Sequence, residues 1–175
     1  MGPQVTELPY LKCNAVLLSA LGESGHVAYL DSSATAGHQN GRWSILTQAT
    51  NDNTLSSHSP FSPAIKEKCQ TWMNRVQSSS SHLPFIGGIF GQLSYQLGTS
   101  MMGVTSRHQY QLPIYELLFC SWAYLWDHVE AKCYLVHWPE LCDIRPNKLT
   151  ELFLDSLQAT DEKADFQLFG EFKPS

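Results

Sequence analysis

Ile114-Tyr115-Glu116-Leu117-Leu118-Phe119-Cys120-Ser121-Trp122-Ala123-Tyr124-Leu125-Trp126 is apolar at almost every position, with Glu116 its single charge. Side chains alternate between the two faces of a strand, so Leu117, Phe119, Ala123 and Leu125 lie opposite Leu118, Cys120, Trp122 and Tyr124. Both sets are apolar, so the segment reads as one long strand covered above and below. We expect one of its faces to be left in part for another domain, which would give the chain an exposed apolar surface. Asp127-His128-Val129-Glu130 then turns the chain into Cys133–Trp138, a β-hairpin and so an antiparallel pair.

Working outward, Ile86–Leu97 is a second strand, with Gly87, Gly88 and Gly91 allowing a bulge or a close backbone approach. Ser62-Pro63 opens a helix whose Ile65, Cys69, Trp72, Met73 and Val76 share one face. Leu149, Leu152, Phe153 and Leu157 mark another helix, and Asn14–Leu21 a shorter one closed by Gly22 and Gly25. His26–Asp31 and Arg42–Gln48 read as strands joined by a run of small turn-forming residues. Asn51–Pro60 is polar and Ser-rich and reads as a loop, while Asp165–Phe172 returns to strand-like alternation. The fold class is α+β: mainly antiparallel β-sheet layers with flanking helices.

Composition narrows the function. The chain has 175 residues, 43% hydrophobic and 15% charged, with a net charge of −5, which suits one globular domain. No Lys/Arg block of the kind that holds nucleic acid is present, and no apolar run reaches the roughly 20 residues of a membrane helix. Met1–Tyr10 lacks a basic segment followed by an apolar one, so a cytoplasmic location is expected, with neither nucleic acid nor membrane as partner. The five cysteines are widely spaced without a CxxC and read as small buried hydrophobes. Cys133 and His137 on one strand stand about 13 Å apart, too far to share a zinc ion.

No phosphate loop, nucleophile elbow, HExxH motif or paired acid cluster is present, so no catalytic residue is assigned. His128 follows Asp127 at a hairpin tip, where a solvated turn is the simplest reading.

Several segments, in order, resemble the N-terminal region of the chorismate-aminating enzymes, the family of aminodeoxychorismate (para-aminobenzoate) synthase component I and anthranilate synthase component I. They are Tyr29-Leu30-Asp31-Ser32, Gly41-Arg42-Trp43-Ser44-Ile45-Leu46, Leu83 through Gly98, Leu112-Pro113 and Trp122 through His128. Phe166–Ser175 resembles the stretch just before the family's catalytic domain. Asp31-Ser32 stands where the anthranilate branch usually has Glu-Ser, and the Leu83-Pro84-Phe85 lead looks closer to the aminodeoxychorismate branch. Tyr95-Gln96 departs from the family's usual Tyr-Asp.

The resemblance implies a two-sheet fold in which residues 1–175 form a single N-terminal domain without the C-terminal chorismate-binding catalytic domain. Mg²⁺, the metal-binding carboxylates and a lysine nucleophile would belong to that absent domain, so this chain carries no cofactor and is expected to be inactive alone. The parent enzyme would transfer an amino group to chorismate, with ammonia from a glutamine amidotransferase component II, giving 4-amino-4-deoxychorismate for para-aminobenzoate and folate synthesis. The alternatives are the N-terminal domain of anthranilate synthase component I, in tryptophan synthesis, and a free-standing small-molecule binding module. The resemblance also implies a tryptophan pocket walled by Leu30, Asp31, Ser32, Arg42, Trp43 and Ser44. An amino group wants a carboxylate or hydroxyl, and an indole wants flat apolar walls. The same residues would also suit a turn cap at Ser32 and a core filler at Trp43.

Overall fold

In a computed structural model, residues 2–11, 13, 15–32, 41–76, 82–104 and 112–158 are described. The elements run β1 (Gln4–Leu8), α1 (Ala15–Gly22), β2 (His26–Leu30), β3 (Trp43–Ala49), β4 (Thr54–Ser57), α2 (Pro63–Arg75), β5 (Gly88–Leu93), α3 (Tyr95–Met101), β6 (Tyr115–Cys120), β7 (Trp122–Asp127), β8 (Lys132–His137) and α4 (Pro146–Gln158). They form two antiparallel sheets, one of order β1-β8-β7-β3-β2 and one of order β4-β6-β5, flanked by helices. The fold is α+β.

The apolar stretch 114–126 is two strands, not one. The chain passes from the centre of the small sheet to the centre of the large one through Ser121, whose carbonyl accepts the Trp138 N–H at 2.9 Å. Both faces of both strands are therefore covered from within the chain, and every residue from Leu117 to Asp127 is buried. The expectation that one face waits for another domain does not hold for this segment.

On the large sheet, Leu8, Leu46, Trp122, Tyr124, Trp126, Cys133 and Leu135 pack under α1 (Leu17, Leu21) and α4 (Leu149, Phe153). The opposite face presents Ala123, Leu125 and Val136 to Leu83, Phe85 and Ile86. Ala49 meets Leu118 and Cys120, where the sheets face each other. Leu117 and Phe119, on the far face of the small sheet, are covered by Trp72 and Val76 of α2 and its border. Desolvation pushes the Cys120 thiol up to about 11 and the Cys133 thiol up to about 12, as expected of cysteines that serve as core hydrophobes.

Three further differences from the sequence reading have local causes. The Ser-rich stretch 51–60 contains β4, because Leu55 packs on the small sheet while its neighbours pair with Tyr115–Leu118. The strand from Ile86 stops at Leu93, where Ser94 accepts the Gln96 N–H at 3.2 Å and caps α3. Gln4–Leu8 joins the large sheet through β8, a strand its mixed composition did not announce. Ser62 does cap α2, with Pro63 in its first turn. Gly87 has φ +118°, and a Cβ there would sit 2.9 Å from Trp138 Nε1; a Cβ on Gly91 would sit 2.6 Å from the Glu116 carbonyl. The strand read at Asp165–Phe172 and the stretch Phe166–Ser175 lie outside the described residues.

Leu93, Tyr95, Met101, Met102, Val104 and Leu112 are exposed, Tyr95 by 88%, and no Asp, Glu, Lys or Arg occurs between Leu83 and Ser106. No helix among the described residues is long and apolar enough to cross a membrane.

The Tyr124 hydroxyl donates to the Leu149 carbonyl at 2.6 Å, tying the large sheet to α4 in a site closed to water. Tyr124→Phe is expected to lower the unfolding free energy by about 1 kcal/mol in urea titration, since one buried hydrogen bond is lost while the carbonyl, inside α4, keeps its helical partner. An unchanged midpoint would contradict this bond.

Candidate functional site

The register of the large sheet sets which side chains meet. Ser44 pairs with Trp126, and Tyr29 with Leu46, so Tyr29, Ser44, Leu46 and Trp126 share one face with Asp31, two residues past Tyr29. Trp43 pairs with Asp127 and faces the other way.

Ser44, 1% exposed, is the hub of a polar cluster on that first face. Its hydroxyl donates to Asp31 Oδ1 at 3.0 Å and accepts the Ser32 backbone N–H at 3.0 Å. His128 Nε2 lies 2.7 Å from the same oxygen, and Tyr10 Oη lies 2.8 Å from His128 Nδ1. With the Ser44 proton committed to Asp31, Nε2 donates to Ser44 and Nδ1 accepts from Tyr10. The Tyr29 hydroxyl also donates to Asp31 Oδ1, at 3.0 Å. Burial first, then this bond to Asp31, push the Tyr29 phenol well above its ordinary range.

Both donors to Asp31 land on Oδ1. Among the described residues Oδ2 has no hydrogen-bond partner, and Asp31 is exposed. The cluster thus presents one fixed carboxylate oxygen that can accept from an ammonium or hydroxyl donor.

The six residues singled out in the sequence divide. Asp31, Ser32 and Ser44 come together. The Ser32 hydroxyl, however, donates to the Trp43 carbonyl at 2.7 Å, at the end of β2. Leu30 is exposed. The Trp43 indole packs toward Leu83, Ala123, Leu125 and Val136, on the face away from Ser44, with the Arg42 guanidinium 5.1 Å from its ring centre. Arg42 reaches Asp127 with Nη2–Oδ2 at 2.6 Å and Nε within 3.1 Å of both carboxylate oxygens.

Asp127 is 2% exposed and also accepts the N–H groups of Val129 and Glu130, which shape the β7–β8 turn. Burial alone would raise its carboxyl, but Arg42 and those two N–H groups outweigh it and hold the group below its usual range. Sequence reasoning missed Tyr10, Tyr29 and His128 as members of this cluster. The spacing of Tyr29 and Asp31 on one strand was the available signal; nothing local marked Tyr10.

Among the described residues no group of three or more His, Cys, Asp or Glu side chains could hold a metal ion. No protein-family model matches the chain, and no curated protein matches it.

Two outcomes follow from this geometry. Ser44→Ala takes the partner from the Ser32 N–H and from His128 Nε2 and leaves Asp31 only the Tyr29 hydroxyl, and is expected to cost about 1–3 kcal/mol in denaturant titration; a midpoint equal to the parent's would contradict the hub. Asp127 has a lowered native pKa, so its contribution is complete above its unfolded value near pH 4 and disappears as pH falls through the native value. Asp127→Asn should therefore melt several degrees lower at pH 7, with the gap to the parent closing toward pH 2. A gap independent of pH would rule out the ionised pair as its source.

Proposed function

We propose that this chain is the N-terminal domain of a chorismate-aminating subunit of the aminodeoxychorismate synthase component I type. One observation carries the reading: three segments that bear the family resemblance meet at one corner through hydrogen bonds. Asp31 and Ser32 of the first, Arg42 and Ser44 of the second, and Asp127 and His128 of the third are joined there, although about 85 residues separate the second from the third. Two antiparallel sheets with helices outside are compatible with the fold that the resemblance implies.

On this reading Mg²⁺, chorismate and the chemistry belong to a further C-terminal domain, and the subunit works in the cytoplasm with a glutamine amidotransferase component II. The exposed apolar side chains Leu93, Tyr95, Met101 and Met102 are those against which such a domain would pack. The pocket wall reduces to Asp31, Ser32 and Ser44, with Asp31 Oδ2 as acceptor for an amino-acid ammonium group such as that of tryptophan. Trp43 serves the core, not the ligand.

The full-length gene product is expected to convert chorismate and ammonia, with Mg²⁺, to 4-amino-4-deoxychorismate, while residues 1–175 alone consume no chorismate. Formation of anthranilate would move the assignment to the other branch, and absence of turnover by the full-length product would overturn it.

A further inference from the structure

On the outer side of the small sheet, α2 and β6 border an open groove of about 410 Å³ whose lining includes Glu67, Lys68, Trp72, Arg75 and Phe119. Lys68, Trp72 and Arg75 stand at i, i+4 and i+7 on α2 and share one face. Trp72 and Phe119 meet edge to face with ring centres 5.5 Å apart. The Trp72 indole N–H is already committed to the Gly88 carbonyl at 3.1 Å, so it offers a ligand no donor.

Polar recognition therefore falls to the rim. Lys68 Nζ is held 5.2 Å from the Phe119 ring centre, and Arg75 Cζ 5.8 Å from that of Trp72. Contact with the rings restrains both long side chains, which lowers the ordering cost of meeting an anion. Neither cation has a carboxylate within 4.0 Å among the described residues, unlike Arg42, which is paired with Asp127. Glu67 is the one carboxylate in the lining and pairs with neither. In a chain of net charge −5, two cations left unpaired in one groove form a local positive site.

We propose that this groove binds a small planar carboxylate, with the carboxylate held by Arg75 and Lys68 and the flat body lying along the Trp72 side of the floor. Arg75 supplies the planar fork that matches a carboxylate, and Lys68 a second point charge, the two resting on adjoining rings whose centres are 5.5 Å apart. Glu67 disfavours ligands that carry an anion at its end of the groove. The site lies on the sheet and helix remote in sequence from the Asp31–Ser44 cluster and is independent of the function proposed above.

The test uses benzoate as probe and benzamide as its neutral counterpart, read from the Trp72 indole ¹⁵N–¹H resonance of the 175-residue chain. Benzoate is expected to shift Trp72 saturably, benzamide at least tenfold more weakly. K68Q and R75Q should each weaken benzoate several-fold, and the double variant at least tenfold, with the Trp122 and Trp126 resonances unmoved as a check on folding. If the double variant does not fold, the two single variants decide the matter. No saturable shift at millimolar benzoate, an equal response to benzamide, or an affinity unchanged in folded variants would each overturn the proposal.

Discussion

The main chain from Tyr115 to Asp127 runs without interruption through the middle of both sheets, turning from one to the other at Ser121. Covalent continuity of this kind leaves little freedom to the rest. β6 must find partners on both edges, which β4 and β5 supply, and β7 must find β3 and β8. Where the sheets face each other, Ala49 meets Leu118 and Cys120, with Phe85 and Phe90 packed against them. The bulky Trp122, Tyr124 and Trp126 all point the other way, under α1 and α4.

Much of this was legible because periodicity reports burial. Apolar residues on both faces of 114–126 announced a fully covered segment, and the Ser62-Pro63 start with the spacing to Val76 announced α2. The change of sheet at Ser121 was not legible. Period-two alternation continues across a bend, and Ser121 is one polar residue among twelve others, so nothing in the pattern separates one long strand from two. β1 and β4 were missed for a related reason. They are short edge strands whose pairing is imposed by β8 and β6, and their own composition carries little strand signal. Ser94 had the chemistry of a helix cap, but the apolar residues on either side hid it inside an apparent strand.

The candidate site divides by the same logic. Asp31, Ser32 and Ser44 are close in register as well as in the resemblance, so sequence brought them together. Trp43 is adjacent to Ser44, yet alternation sends it to the opposite face, where it joins the core. His128 and Tyr10 enter through tertiary structure: β7 ends beside Ser44, and the segment after β1 passes the same corner. Charge is treated differently at each place. Asp127 is buried and fully engaged by Arg42 and the turn, whereas among the described residues Asp31 Oδ2 has no hydrogen-bond partner and Lys68 and Arg75 of α2 have no carboxylate partner. An engaged pair stabilises a turn; an unengaged group is available to a ligand.

Native-state hydrogen exchange tests the shared spine most directly. If one continuous segment locks the sheets together, the amides of Leu118 and Phe119 in β6 and of Tyr124 and Leu125 in β7 open with the same free energy, that of global unfolding. Opening of the β6 amides at a cost lower by about 2 kcal/mol or more, with β7 still protected, would contradict the account and make the small sheet a separate unit.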